Sequence, residues 1–196
     1  MRSVRFGSVV LILLAVLAQP GSAEIIVITA DGIEGEFMGE MHRGASEVQS
    51  FASGIDHPVG VAQGAFVPGP LDISNIGIVK RVDKASPRYA LKALNGEPIA
   101  NVRIEFLREA DSRTFLRYDL KDVRVTTYRP GASTGGNDVP LEEIAFSFAE
   151  VVIRYTPFGP DGQPTNPVVV GWNVLAGEPA KAAEETAESE ESKERE

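Results

Sequence analysis

Two histidines, His42 and His57, are the side chains in this sequence best suited to metal binding or proton transfer. Neither belongs to an HExxH motif or to any comparable ligand spacing. His42 lies in a polar, glycine-flanked stretch and His57 directly precedes Pro58. We therefore expect both to be solvent-exposed loop residues. The chain contains no cysteine, which excludes disulfides, thiolate metal sites and cysteine nucleophiles.

Other chemistry-bearing groups also lack the neighbours that their chemistry requires. A carboxylate cluster could attract calcium but matches no calcium-loop template, so a solvated turn is favoured; it consists of Asp31, Glu34, Glu36 and Glu40. The glycines at 32, 35 and 39 lack the Lys-Ser/Thr pair of a phosphate loop. Ser86 stands outside any G-x-S-x-G elbow and is interpreted as a helix N-cap. The sequence thus predicts a non-enzymatic protein with no catalytic residue, metal ligand or cofactor.

Composition limits the class of protein further. A chain of 196 residues has room for one domain with a sizeable core, and 43% hydrophobic with 24% charged residues is ordinary for a folded protein. The formal net charge of −9 disfavours nucleic-acid binding, because a phosphate backbone favours clustered Lys and Arg.

The first 23 residues have the pattern of a secretory signal peptide. Arg2 and Arg5 form a positive n-region, the apolar run 9–18 follows, and residues 21–23 (GSA) form a small-x-small cleavage site. The alternative is a membrane anchor, but this run is shorter than the roughly 20 residues needed to span a bilayer. Cleavage would leave a secreted or periplasmic protein that starts at Glu24 and has no membrane contact.

The predicted organisation is a signal peptide at 1–23, one domain at 24–176 and an acidic tail at 177–196. The tail has eight glutamates, three basic residues and no large apolar side chain. Such a segment buries too little surface to offset its ordering entropy, so it is interpreted as disordered. An acidic segment that engages a basic partner is the alternative.

Between these ends, short apolar runs rich in β-branched residues predict strands, bounded by Gly, Pro, Asn and Asp. The predicted strands cover residues 25–29, 70–82, 99–108, 116–128, 144–155 and 168–174. A change of parity near residues 149–150 predicts a β-bulge, and Trp172 is expected in the core or in a subunit contact. Residues 86–95 predict one short helix with Gly96 as its left-handed cap. The fold class is therefore mainly β, an antiparallel barrel or sandwich.

Several short motifs, in the correct order over residues 25–175, resemble those of Hcp proteins. The matching segments are 31–36 (DGIEGE), 47–51 (EVQSF), 80–87 (KRVDKASP), 120–123 (LKDV), 140–148 (PLEEIAFSF), 155–157 (YTP), 161–162 (DG) and 171–173 (GWN). Of these, the KRVDKASP stretch that leads into the predicted helix is the most distinctive.

The resemblance implies an Hcp-type β-barrel that assembles into hexameric rings, which stack into the hollow tube of a type VI secretion system. It also implies sheath, tip and effector proteins as partners. The signal peptide and the acidic tail depart from the family pattern, because tube proteins assemble in the cytoplasm. Two alternatives follow: a true tube component, or a secreted or periplasmic Hcp-fold binding protein with no role in type VI secretion. A secreted hydrolase or ligand-binding barrel is a third, disfavoured by the missing catalytic set.

The export prediction is tested by sequencing the N-terminus of the protein recovered from a periplasmic fraction. We expect Glu24 as the first residue, because cleavage after Ala23 follows from the small-x-small site. Recovery of the chain from the cytoplasm with Met1 in place would contradict export.

Overall fold

The computed structural model describes residues 24–131 and 139–180. The predicted signal peptide and residues 181–196 of the predicted tail lie outside these ranges. Within them the chain forms one α-helix, α1 (Ser86–Asn95), a 3-10 turn (Glu40–His42) and a series of short and long strands. The strands are β1 (Ile25–Ala30), β2 (Ser46–Ala52), β3 (Ile55–Asp56), β4 (Val59–Ala62), β5 (Ala65–Pro68), β6 (Asp72–Ile73), β7 (Ile76–Arg81), β8 (Ile99–Leu107), β9 (Thr114–Gly131), β10 (Leu141–Ser147), β11 (Glu150–Tyr155), β12 (Val168–Asn173) and β13 (Glu178–Pro179). None of the described helices is long and apolar enough to cross a membrane.

Six antiparallel strands close into a barrel. The order is β10-β7-β2-β1-β8-β9, and β9 pairs back onto β10 to complete the ring. Closure satisfies the backbone hydrogen-bonding groups of these strands without leaving a free edge. The predicted fold class, a mainly β antiparallel barrel with one short helix, is confirmed.

Strands β11, β12 and β13 form an extension of the barrel wall, here called the side sheet, which is joined to the barrel through β9. The first half of β9 pairs with β11, from Tyr155 opposite Leu116 to Glu150 opposite Lys121, and β12 and β13 extend the sheet outward. The second half of β9 pairs with β10. Strand β9 therefore belongs to both the barrel and the side sheet. The phase change near residues 121–122 has a backbone cause, because Asp122 adopts a left-handed conformation (φ 46°).

The parity change that predicted a bulge near residues 149–150 has another origin. The chain there leaves one strand, β10, and starts another, β11, at the point where pairing moves from one half of β9 to the other. The bulge prediction is wrong at this position; the register shift lies between Ala145 and Phe146, where β10 skips Thr126 of β9.

The core fills the barrel with alternating residues of its strands. Ile28, Val102, Ile104, Leu120 and Phe146 are at most 1% exposed. The register sets their partners, since Ile104 lies opposite both Ile28 and Tyr118, so one face of each strand points inward.

Helix α1 packs against β9 and buries Tyr89, whose ring lies edge-on to Phe146 at 5.9 Å between centroids. Gly96 ends the helix as predicted, with φ 68° and its N–H donated to the carbonyl of Lys92. The N-cap prediction for Ser86 is wrong. The cap position falls on Ala85, which makes no side-chain capping bond, and the Ser86 hydroxyl is used elsewhere.

The segment between β1 and β2 covers a second, smaller core formed by Val27, Ala45 and Leu107. Gly35 donates its N–H to the carbonyl of Gly44 (2.6 Å) and lies so close to the Ala45 backbone that an added Cβ would collide with the carbonyl oxygen. This is a physical reason for the second glycine of the DGIEGE motif.

Two further elements were not predicted from sequence. The chain from Ile55 to Ile73 forms an arm: β3 pairs with β6 at its base and β4 with β5 at its tip. At the other end of the chain, β13 pairs with β12 and Ala180 is 1% exposed, so ordered structure extends past the predicted domain boundary at 176.

Replacing Gly35 with Ala is expected to lower the free energy of unfolding by roughly 2 kcal/mol or more, because backbone atoms must move to admit the methyl group. The matched control is Gly77→Ala in β7, where nothing lies within 4 Å of an added Cβ. That control should change stability by less than about 1 kcal/mol. Equal urea midpoints for the two variants would contradict the close-contact role of Gly35.

Candidate functional site

The KRVDKASP motif builds a buried ionic cluster. Lys80 on β7 is 0% exposed, and its Nζ lies 2.7 Å from Asp83 and 2.8 Å from Glu142 on β10. The same ammonium donates to the backbone carbonyl of Arg81 at 2.9 Å. A buried charge requires such compensation, because removal from water costs several kcal/mol per ion. Two carboxylates and a carbonyl hold one cation.

Hydroxyl groups complete the cluster around the carboxylates. Ser86 donates to Glu142 at 2.7 Å and accepts the N–H of Asp83 at 2.9 Å. Tyr128 on β9 donates to the other oxygen of Glu142 at 2.8 Å. Ser46 on β2 donates to Asp83 at 2.7 Å. The cluster therefore joins four strands to the start of helix α1, and the Ser86 hydroxyl is structural rather than nucleophilic.

The cluster also shifts the acidity of its members. Burial raises the pKa of Asp83, but the hydrogen bonds from Lys80 and Ser46 outweigh burial and leave this pKa below its ordinary value of 3.8. The contribution of Asp83 to stability is thus present above pH 3.8 and is lost as pH falls through the lower folded value. Burial and the bond to Glu142 raise the pKa of Tyr128 to about 12.

The acidic residues of the DGIEGE motif contact the same corner of the barrel. Glu34 lies 3.1 Å from the Lys84 ammonium, and Glu36 accepts the backbone N–H of Lys84 at 3.1 Å. Asp31 accepts from the Asn101 amide at 2.7 Å, and Glu40 is exposed. All four carboxylates lie at the surface, as the solvated-turn interpretation predicts. No described group of three or more His, Asp or Glu residues is arranged to hold a metal ion.

The two histidines differ in environment. His57 is exposed, as predicted, with its Nε2 3.1 Å from the Gly69 carbonyl. The prediction of exposure is wrong for His42, whose side chain is only 10% exposed and whose Nδ1 lies 3.3 Å from Glu105. The partner Glu105 lies on β8, a distant strand, so the polar sequence around His42 did not reveal this contact.

The arm carries an unusually apolar surface. Each described residue of β4 and β5 is exposed, including Val59 (61%), Val61 (71%) and Phe66 (83%). Both central residues of the turn, Gln63 and Gly64, have positive φ, the geometry of a two-residue hairpin turn. Two apolar runs separated by two residues were the sequence signal for this hairpin, and it was missed.

At the base of the arm lies an apolar groove of about 610 Å³. Its walls come from the arm and from the side sheet, and they include Ile55, Leu71, Ile73, Ile153, Val170 and Trp172. Trp172 packs against the core and also borders the groove. The chain thus presents an apolar projection and an apolar recess on one molecule.

A closed antiparallel barrel, one packed helix and a projecting hairpin arm define the structural class. The family model described as "Type VI secretion system effector, Hcp" matches residues 27–155, and the chain belongs to this Hcp family.

Individual relatives agree with this assignment. Protein hcp1 of Pseudomonas aeruginosa is 29% identical over 107 residues, which span 53% of this chain and 65% of that protein, just under two thirds of its length. The solved structure of a type six secretion system protein superposes with a TM-score of 0.76 at 26% identity, covering 81% of this chain and 100% of that one. Hcp1 from Salmonella typhimurium superposes with a TM-score of 0.67 at 24% identity, over 81% of this chain and 99% of that chain, which shows a shared fold.

The ionic cluster predicts a large difference between two lysines of one motif. Lys80→Met leaves Asp83 and Glu142 buried without a cation, and we expect a loss of about 3–5 kcal/mol in unfolding free energy. The control, Lys84→Met, removes a 47%-exposed lysine paired with Glu34 and should cost less than about 1 kcal/mol. Urea unfolding measures both, and a similar loss in the two variants would contradict a structural role for the cluster.

Proposed function

We propose that the chain is a structural subunit that self-associates into hexameric rings, and that these rings form the tube of a type VI secretion system. Membership of the Hcp family supports this function. The observation that carries it is the exposed hairpin of β4 and β5. No element among the described residues covers this apolar two-stranded arm, and such an arm is marginally stable alone and needs a partner.

A second copy of the chain could supply the surface that covers the hairpin of β4 and β5. The apolar tip at Val61 and Phe66 complements an apolar recess such as the groove bordered by Trp172, and both occur on each molecule. A head-to-tail contact between two different patches closes into a ring when its rotation allows. The proposed role is non-enzymatic, with sheath, tip and effector proteins as further partners and none of them a nucleic acid.

A second candidate function has its own support in residues 1–23. Their signal-peptide pattern favours a secreted or periplasmic Hcp-fold binding protein that works outside a type VI machine. Fold does not decide between the two candidates. Genes for sheath and baseplate proteins beside this one would support the tube function, and their absence would support the exported binding protein.

Self-association is tested by sedimentation of the purified chain and of Phe66→Asp. We expect a hexameric species for the unchanged chain and its dissociation in the variant, since a charge would be placed in the apolar contact. The matched control is Leu94→Asp on α1, because Leu94 is 85% exposed and Phe66 83%. The control should sediment like the unchanged chain. A chain that stays monomeric at high concentration would contradict ring formation.

A further inference from the structure

A positively charged groove lies on the face of the sheet that points away from the barrel core. It has a volume of about 480 Å³ and spans β1, β8, β9 and β11. The charged residues that line it are Asp31, Arg103, Arg117, Asp119, Lys121 and Arg154. Four cations and two carboxylates line the groove, on a chain whose formal net charge is −9. One of these cations, Lys121, is paired with Glu150 at 2.6 Å, so the three arginines carry the excess positive charge. We call Arg103, Arg117 and Arg154 the arginine face.

The available carboxylates are already engaged. Asp119 lies 2.6 Å from Arg103 and 2.7 Å from Arg117, so one carboxylate serves two guanidinium groups. Glu105, which is paired opposite Arg117, is 3.3 Å from His42 and accepts from Thr114 at 3.0 Å. Neither is free to neutralise a third arginine.

Arg154 is the groove cation that none of these carboxylates neutralises. The register sets it directly opposite Arg117, and like charges in that position destabilise a strand pair. Among the residues that the structure describes, Arg154 has no ion-pair partner, and its Nε is buried without a hydrogen bond. An unsatisfied buried donor costs free energy. The arginine face therefore lacks an anion beside Arg154.

The described chain ends close to this position. Ala180 donates its N–H to Gly171 of β12, and Gly171 lies opposite Val152, two residues before Arg154 on β11. Ala180 and Arg154 are separated by two interstrand spacings, from β13 to β12 and from β12 to β11, and by two residues along β11. The distance between them is therefore roughly 12 Å. Strand β13 is antiparallel to β12 and runs toward Val169, whose partner is Arg154. The chain thus leaves the side sheet heading toward the unpaired arginine.

We propose that the acidic segment 181–196 binds the arginine face of its own chain, with glutamate carboxylates paired to Arg154 and Arg117. The segment holds seven glutamates and three basic residues, so its charge complements the groove. Its sixteen residues span up to roughly 50 Å when extended, which exceeds the distance required. Attachment so near the groove gives the segment a high effective concentration there, which favours its own chain over a second copy.

Zero-length carbodiimide cross-linking of the full chain tests the proposal. Lys121 lines the groove and is 51% exposed, while Lys84 lies outside it and is 47% exposed. Each has one neighbouring carboxylate, Glu150 at 2.6 Å from Lys121 and Glu34 at 3.1 Å from Lys84, so Lys84 is a matched internal reference. We expect mass spectrometry of the single-chain gel band to show Lys121 joined to glutamates of 181–196 about fivefold more than Lys84. The preference should disappear at about 500 mM salt, where the screening length is only a few ångströms.

Variants separate the arginine face from the general charge of the protein. Arg117→Gln with Arg154→Gln should reduce the Lys121 cross-link to the level of Lys84. Arg88→Gln with Arg129→Gln removes the same charge from exposed positions and should leave the preference intact. Circular dichroism verifies folding, and the salt series on the unchanged chain provides an answer that does not depend on any variant.

Two results would overturn the proposal. Equal cross-linking of Lys121 and Lys84 at low salt would show that the acidic segment has no preferred site. Lys121 cross-links found only in the two-chain band would show that the segment reaches a second copy instead of its own chain.

Discussion

The pairing of Lys80 with two carboxylates is the constraint on which the rest of the barrel depends. A fully buried ammonium is tolerated only where anions reach it, so β7, β10 and the start of α1 must meet at one point. Glu142 and Tyr128 bring the second half of β9 to the same place. This corner is where β10 closes the ring of strands, and hence the ion cluster fixes the register of closure as well as the position of the helix.

Three of the segments that carry the family resemblance converge on this corner. The DGIEGE segment contacts Lys84, the KRVDKASP segment supplies Lys80, Asp83 and Ser86, and the PLEEIAFSF segment supplies Glu142. These motifs therefore record how the barrel is built. They contribute no residue to the arm and only Asp31 to the groove that holds the arginine face. Family membership and the use of those surfaces are therefore separate questions.

Sequence patterns predicted the elements whose side chains alternate cleanly. Strand β8 was expected at 99–108 and observed at Ile99–Leu107, and the helix was expected near its observed bounds. The patterns did not reveal pairing between distant segments. Lys80 sits in an apolar run without any local indication that Glu142 compensates it, and His42 is drawn inward by Glu105 on another strand. The arm was missed for a different reason, since its strands are short and its apolar residues point to solvent.

The length of strand β9 determines how a mechanical force is distributed over the domain. Its eighteen residues run without interruption through two sheets, pairing β11 with one half and β10 with the other. Neither sheet can separate from the other without breaking the backbone ladder of this strand. The barrel and the side sheet therefore form one cooperative unit, so that a load applied at β12 is transmitted directly to the wall of the barrel.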